Sequence, residues 1–154
     1  MEIVHLIDNK ESINEVAGWL YSEFVQNIRN DIDLDYVIRA LHNRRKDSIP
    51  ITLIAVEDNI CLGTITLFQN DLKTMQLTPW LGALYVKEIN RGRGIAEKLI
   101  NELELVTKKL GFKELYLRTE HTADYYRKLG WKYLLETKDE LGIATEVFKK
   151  VLGD

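Results

Sequence analysis

The chain has 154 residues, which is the size of one ordinary domain. Hydrophobic residues make up 45% of it and charged residues 29%, a composition that excludes a disordered or a fibrous protein. The 21 Lys and Arg against 24 Asp and Glu give a net charge of −3, too mild for binding of nucleic acid or of an anionic membrane surface by the chain as a whole. We therefore expect a single domain over residues 1–154 with neither partner.

Cysteine content and the N-terminal sequence bear on the cellular compartment. Cys61 is the only cysteine, which excludes an intrachain disulfide and a cysteine zinc cluster. The residues from Met1 to His5 do not form a basic segment followed by an apolar core, and no apolar run approaches the roughly 18 residues of a membrane span. These features predict a cytoplasmic protein. The chain also lacks internal repeats and linker-like segments, so we expect one continuous unit.

The first third of the chain predicts a strand at 2–7 and two helices. Ser12, with Glu15 three residues later, has the spacing of a capping box at a helix start. Asp33 is the expected N-cap of a second helix that ends near Asn43. The inward faces of the two helices are predicted to be Ile13, Val16, Leu20 and Phe24, and Leu34, Val37, Ile38 and Leu41.

Three strands are predicted in the middle of the chain. Residues 51–56 and 60–68 are β-branched, apolar runs, and the three turn-forming residues between them predict an antiparallel hairpin. Residues 79–86 are apolar at nearly every position, as in a central strand that is covered on both faces. Gly82 interrupts this strand. It indicates either a bulge or the close approach of a ligand or second backbone, or it is tolerated there for packing.

The last 60 residues alternate between helix and strand. Apolar residues at helical spacing predict a long helix over 94–110, and Gly111 follows where a left-handed residue is expected. A strand at 115–117, a short helix at 121–129 ended by Gly130, and a hairpin of 131–136 with 145–151 complete the prediction. The order of elements is that of a mixed α/β fold.

The segment between the central strand and the long helix has the character of an anion site. Gly92 and Gly94 lie just before the helix, where free backbone N–H groups and the positive end of the helix dipole favour a phosphate. Arg91 and Arg93 add positive charge at the rim. The spacing matches neither the Walker A pattern nor the dinucleotide pattern GxGxxG. The loop alone therefore indicates a phosphate site, with a purely structural turn as the alternative.

This segment also resembles the signature of the GNAT superfamily of acetyl-CoA-dependent N-acetyltransferases. That signature reads Gln/Arg-x-x-Gly-x-Gly/Ala after a sheet strand, and Arg91, Gly94 and Ala96 match it. A second block, from Tyr125 to Trp131, is similar to the Tyr-x-x-Leu-Gly-Phe segment of the family. The resemblance covers roughly residues 51–131.

The resemblance implies a fold and a cosubstrate. The fold is mixed α+β, with a central, mixed and twisted sheet of six or seven strands flanked by about four helices. The sheet opens between the strands at 79–86 and 115–117, and the pantetheine arm of acetyl-CoA lies in the opening. No metal is implied. The residues that the resemblance assigns to acetyl-CoA are Leu84, Tyr85, Val86, Arg91, Gly92, Arg93, Gly94, Ile95 and Ala96.

Thr119 is a departure from the family pattern. Family members often carry an Asn that contacts the cofactor at the end of the strand near residue 115, where this chain reads Arg-Thr-Glu-His. Thr119 either substitutes for that Asn in acetyl-CoA binding or only caps the next helix.

The implied reaction is direct attack of a primary amine on acetyl-CoA. Tyr126 matches the general acid of the family by its position, four residues before Gly130. A phenol, whose pKa is near about 10, can protonate a leaving thiolate, whose pKa is near about 8.5, when the two are within hydrogen-bond reach. The base is open, because the central strand carries no Glu, and His121 or a water held by it is the candidate. The alternatives without a catalytic role are that Tyr126 is an ordinary half-buried tyrosine and that His121 is a surface histidine.

The acceptor is the least defined part of the prediction. Acidic residues in the first helices and the last hairpin weakly favour a cationic acceptor such as a polyamine, an aminoglycoside or a peptide amine. The competing class is a non-enzymatic acyl-CoA-binding regulatory module of the same fold. A third reading is a different phosphate-binding domain. Many family members are dimers, so the resemblance is also compatible with a homodimer.

Overall fold

A computed structural model of the protein describes residues 1–153. It confirms the predicted mixed α+β fold, with one seven-stranded sheet in the order β1-β2-β3-β4-β5-β7-β6. The strands are β1 (Glu2–His5), β2 (Ile51–Glu57), β3 (Ile60–Phe68), β4 (Trp80–Val86), β5 (Glu114–Thr119), β6 (Lys132–Lys138) and β7 (Ala144–Val151). The α-helices are α1 (Ile13–Leu20), α2 (Leu34–His42), α3 (Ile95–Lys109) and α4 (Ala123–Lys128). Within residues 1–153, no helix is long and apolar enough to cross a membrane.

The chain divides into two compact units. The first unit consists of Met1–Thr66 with Ala83–Leu103, and the second of Leu67–Gly82 with the residues from Glu104 on. The boundaries fall inside β4 and inside α3.

The first unit is built around β1, β2 and β3. β1 pairs antiparallel with β2, with Ile3 opposite Ala55. Asp58 and Asn59 connect β2 to β3 with φ values of 53° and 66°, the left-handed pair that a two-residue hairpin turn needs. The predicted hairpin is therefore present. The apolar cluster of the first unit is formed by Leu6, Ile13, Val16, Ala17, Leu20, Leu41, Ile54 and Cys61.

The first helix begins directly after Ser12, as predicted, but the predicted capping bond and the inward position of Phe24 are wrong. Ser12 makes no side-chain capping bond, because a 3₁₀ turn at Lys10–Ser12 leads into α1 and holds Ser12 in a helical conformation. At the other end, α1 continues into a π-helical turn at Tyr21–Val25. The wider turn changes the phase of the apolar face, and the side chain of Phe24 is 39% exposed rather than inward.

The second helix agrees with its prediction except at its first residue. The Asp33 carboxylate accepts a hydrogen bond of 2.8 Å from the backbone N–H of Tyr36, as an N-cap should. Leu41 is fully buried, and Val37 and Ile38 are half-buried. Leu34 was expected to point inward but is 40% exposed in the first turn of α2.

The second unit contains β5, β6 and β7. β5 and β7 pair antiparallel at six positions, and β6 and β7 form the predicted hairpin, with an irregularity between Tyr133 and Leu135. β5 also pairs in parallel with the start of β4, through the single residue pair Trp80 and Tyr116. The apolar cluster of this unit comprises Leu72, Trp80, Tyr116 and Val147, with Phe68, Met75, Leu77 and Leu135 packed against it.

Candidate active site

A backbone irregularity in β4 lies directly before the predicted thioester-binding segment, which begins at Leu84. Ala83 has a φ of 50°, an unusual value for a residue with a side chain. Next to it, a Cβ on Gly82 would lie 3.0 Å from the ring carbons of Phe68 and 3.1 Å from the Asp71 Oδ2. Gly82 therefore leaves room for two packed side chains, which agrees with the packing alternative of the sequence analysis and not with the approach of a second backbone.

The loop before α3 exposes backbone donors. Gly92 and Gly94 have φ values of 83° and 76°, and neither position has another atom within 4 Å of where a Cβ would be. The first bond of the helix runs from the Lys98 N–H to the Gly94 carbonyl, so the amides of the preceding turn lack helical acceptors. Accessible amides at the positive end of a 15-residue helix suit a diphosphate.

Two arginines shape this loop in different ways. The Arg91 Nε donates a 2.8 Å hydrogen bond to the carbonyl of Val86, and its guanidinium lies 5.4 Å from the centre of the Tyr85 ring. Arg93 instead pairs with the Glu57 carboxylate, at 3.0 and 3.1 Å from its two oxygens. This hydrogen bond and charge lower the pKa of Glu57. Arg91 thus ties the loop to the end of β4, and Arg93 ties it to the end of β2.

Two aromatic side chains of β4, Trp80 and Tyr85, contact other parts of the protein. The Tyr85 ring lies 5.4 Å from the Trp19 ring, and Leu84 and Tyr85 are both half-buried. Trp80 is fully buried, and its indole N–H donates to the Leu77 carbonyl at 2.6 Å. Trp80 is therefore a core residue.

Tyr126 is a buried phenol on α4. Its side chain is 8% exposed and makes edge-on contacts with Tyr125 and Trp131. Burial, together with the neighbouring Tyr125, raises the pKa of Tyr126 to about 12. Its hydroxyl makes no hydrogen bond to the rest of residues 1–153, so the proton is held at neutral pH without being committed to a protein acceptor.

Thr119 and His121 lie between β5 and α4. The Thr119 Oγ1 accepts from the Thr122 N–H at 3.0 Å and lies 2.6 Å from the Thr122 hydroxyl. These contacts fix the entry to α4, which begins at Ala123 rather than at His121 as predicted. His121 is exposed.

Asp71 is a titratable residue that the sequence analysis did not single out. It lies in the loop between β3 and β4 and is half-buried. Burial raises its pKa to about 6, with the charge of Arg118 opposing this shift and that of Glu120 adding to it. No local pattern marks Asp71, because its surroundings come from distant parts of the sequence.

Two further groups matter for what the protein can do chemically. Cys61 is buried, and desolvation raises the pKa of its thiol to about 12, which makes it a poor nucleophile. Among residues 1–153, no group of three or more His, Cys, Asp or Glu side chains is arranged to hold a metal ion.

Comparison with protein families identifies the class. The family model described as an acetyltransferase (GNAT) domain matches residues 49–133, more than half of the chain. The chain therefore belongs to the GNAT acetyltransferases, which confirms the predicted family and, with it, an acetyl-CoA-dependent N-acetyltransferase as the class of enzyme. A search of curated proteins found no match to this sequence.

Solved structures share the fold across the whole chain. An aminoglycoside 6'-N-acetyltransferase complexed with coenzyme A superposes with a TM-score of 0.78 at 18% identity, covering 100% of this chain and 98% of that one. A ribosomal-protein-alanine N-acetyltransferase from Brucella melitensis gives 0.75 at 19% identity, covering 99% and 100%. YncA from Salmonella typhimurium, solved with its cofactor acetyl-CoA, gives 0.73 at 16% identity, covering 100% and 95%. At these identities the likeness establishes the fold.

Proposed function

We propose that the protein transfers the acetyl group of acetyl-CoA to a primary amine by direct attack. The observation that carries this proposal is the loop from Gly92 to Ala96, where two glycines in left-handed conformations precede the open amides of α3. The loop follows β4 and precedes α3, the order that the resemblance to the family signature implies.

The loop supplies the diphosphate site of this proposal. The backbone N–H groups from Gly92 to Ala96 bind the diphosphate oxygens, and the absence of side chains at the two glycines lets the phosphates reach the main chain. Arg91 holds the loop in this conformation through the Val86 carbonyl and adds charge. Backbone groups of Leu84, Tyr85 and Val86 bind the pantetheine arm and polarise the thioester carbonyl.

Tyr126 is the proposed general acid. The neutral amine attacks the thioester carbon, the tetrahedral intermediate collapses, and the departing sulfur takes the phenolic proton. A pKa raised to about 12 keeps the phenol protonated throughout the working range of pH. Thr119 is kept as a proposed contact to acetyl-CoA, although its hydroxyl already bonds within the β5–α4 turn.

The acceptor must lose a proton before it attacks, because an alkylamine whose pKa resembles the 10.4 or so of lysine is charged at neutral pH. His121, or water near it, is the base that the sequence proposed, and its exposure leaves it accessible to solvent and acceptor. Two of the similar structures are named for different acceptors, an aminoglycoside and a ribosomal-protein alanine. We propose a cationic amine of low or moderate size without choosing between these two chemistries.

Thiol release from acetyl-CoA tests the proposal. The purified protein is assayed against spermidine, kanamycin, lysine and a peptide with a free N-terminal alanine, each with an acceptor-free control, and products are identified by mass spectrometry. We expect saturable, acceptor-dependent release with a gain of one acetyl group on the amine.

Two outcomes contradict the proposal. Tight acetyl-CoA binding without release from any amine, together with no effect of Tyr126→Phe, favours the non-enzymatic acyl-CoA-binding module. No acetyl-CoA binding at all removes the loop assignment and leaves a different phosphate ligand.

A further inference from the structure

The loop between β3 and β4 places one carboxylate against the backbone of β4. The Asp71 Oδ2 lies 3.1 Å from where a Cβ on Gly82 would be, so a side chain at this position would crowd the carboxylate. Gly82 precedes Leu84 by two positions in the chain. The carboxylate therefore lies beside the first part of β4, and the proposed thioester-binding residues follow in the chain.

The loop around Asp71 is held in a defined conformation. The Asn70 Oδ1 accepts from the Leu72 N–H at 2.7 Å, and the Asn70 amide donates to the Met75 carbonyl at 3.0 Å. Leu72 is buried in the apolar cluster of the second unit, and the Thr74 hydroxyl donates to the Lys138 carbonyl at 3.2 Å. Asp71 is thus fixed from both sides, as a positioned catalytic group requires.

The Asp71 carboxylate is not committed to a protein partner. It makes no hydrogen bond or ion pair with the rest of residues 1–153, and the charges of Arg118 and Glu120 act on it without such a contact. Each of these has another partner in the same unit. Arg118 lies 3.5 Å from the Asp139 carboxylate, and Glu120 accepts from the Thr145 hydroxyl at 2.6 Å. A half-buried carboxylate without a protein partner remains open to water or to an N–H donor of a bound molecule.

We infer that Asp71 is the general base that deprotonates the acceptor ammonium. The inference rests on the proposed acetyl transfer. It supplies a carboxylate base for that reaction, which is needed because the central strand β4 carries no Glu. The substrate class that fits is a primary alkylammonium, whose charge and N–H donors match an unpaired carboxylate. Burial raises the pKa of Asp71 to about 6, so the group is ionised at neutral pH yet more basic than an ordinary aspartate.

The proton balance of the reaction is complete with this base. Asp71 takes one proton from the ammonium, and the freed electron pair of nitrogen forms the C–N bond with the thioester carbon. The C–S electron pair leaves with sulfur, which takes the phenolic proton of Tyr126. The nitrogen loses its second proton, which restores the phenol through water, and Asp71 releases its proton to solvent.

The test compares pH profiles of kcat/KM from pH 5 to 9 for whichever of spermidine, kanamycin, lysine and the alanine peptide is the best acceptor. In the wild type we expect an acid limb near pH 6. Asp71→Asn should lower kcat/KM about 100-fold and remove this limb. Acetyl-CoA binding, measured by calorimetry, should not change. Asp124→Asn, which removes an exposed carboxylate on α4, is the matched control and should behave like the wild type.

The two charged neighbours give a signature that a structural role would not produce. Glu120 raises the pKa of Asp71 and Arg118 lowers it, so Glu120→Gln should move the acid limb to lower pH and Arg118→Gln to higher pH. Aniline, an amine that is already neutral at pH 7, should lose much less activity in Asp71→Asn than an alkylamine does.

Each contrary outcome has one meaning. Normal activity and an unchanged acid limb in Asp71→Asn overturn the assignment while the acetyltransferase proposal stands. Loss of the limb in His121→Gln, and not in Asp71→Asn, assigns the base to His121 instead. If the wild type releases no CoA with any of the four amines, the proposed function fails, and the assignment of Asp71 fails with it.

Discussion

The glycine loop before α3 and the Asp71 loop before β4 are built from different parts of the chain. In the glycine loop the proposed functional groups are main-chain amides, and two left-handed residues a few positions apart determine their conformation. In the Asp71 loop the proposed functional group is one side chain, whose setting depends on Gly82, Arg118 and Glu120. A local sequence encodes the first region, and the tertiary structure creates the second.

The difference decides how each region should respond to mutation. A backbone-built site is damaged by side chains added where there were none. A side-chain site is damaged by removing one polar group or by changing the charges that face it. The following predictions test this distinction.

The largest effect is expected at the glycine loop. Gly94→Glu puts a carboxylate and a side chain where the diphosphate is proposed to touch the backbone, in open space with a φ of 76°. We expect acetyl-CoA affinity, measured by calorimetry, to fall by at least about 100-fold, or about 2.8 kcal/mol.

Gly111→Glu is the matched control for this substitution. Gly111 has a φ of 95° and equally open surroundings, but it lies after the C-terminal end of α3. Both variants carry the left-handed strain of about 1–2 kcal/mol, and the control also places a negative charge at the unfavourable end of the helix dipole. Equal loss of acetyl-CoA affinity in the two variants would show a general loss of stability and not a loss of the diphosphate site.

The second prediction concerns the proposed acid. Tyr126→Phe keeps the ring contacts with Tyr125 and Trp131 and removes a hydroxyl that has no hydrogen bond in residues 1–153. We expect kcat to fall about 100-fold with acetyl-CoA affinity and melting temperature nearly unchanged. Tyr125→Phe, on the neighbouring ring, should retain most of the activity. A parallel fall of kcat and acetyl-CoA affinity in Tyr126→Phe would assign Tyr126 a structural role.

Local signals explain which parts of the fold and site could be predicted. Asp33 caps α2 and Gly111 ends α3 as expected, because a cap depends on residues three or four positions away. Ser12 carries the same kind of signal, yet the preceding 3₁₀ turn overrides it. Asp71 had no signal of this kind, because Gly82, Arg118 and Glu120, which define its surroundings, lie 11 to 49 positions later in the chain. Sequence therefore predicted the proposed diphosphate loop but not the carboxylate beside Gly82.

The two arginines of the glycine loop should differ in importance. Arg91→Gln loses a charged hydrogen bond to the Val86 carbonyl and the contact with Tyr85, so we expect KM for acetyl-CoA to rise about tenfold. Arg93→Gln loses a largely exposed pair with Glu57, which is worth at most about 1 kcal/mol, and should raise KM about two- to threefold. Steady-state kinetics at two salt concentrations measure both. A larger effect of Arg93 would mean that its charge reaches the phosphates directly.

A gain in stability is expected on removal of the Asp71 charge, a change that lowers activity. The folded protein raises the pKa of this carboxyl from 3.8 to about 6, so the folded state binds more protons than the unfolded state between these values. The protonated Asp71 carboxyl contributes stability fully below pH 3.8, and this contribution is lost as the pH rises through 6. Asp71→Asn cannot ionise, so its free energy of unfolding does not fall in this way. It should be more stable than the wild type by about 1–2 kcal/mol at pH 7.5, or about 2–8 °C in melting temperature, once partial exposure is allowed for.

The pH dependence of this gain separates the charge from other effects of the substitution. The stability difference between Asp71→Asn and the wild type should be smaller at pH 4.5 than at pH 7.5, because the wild-type carboxyl is then mostly protonated in the folded state. Asp124→Asn, whose carboxylate is 91% exposed, should show no comparable gain. Melting curves at the two pH values measure the difference. A pH-independent difference would mean that the Asp71 carboxylate is well solvated, and the Asp71 loop would then not be a desolvated site that trades stability for a basic carboxylate.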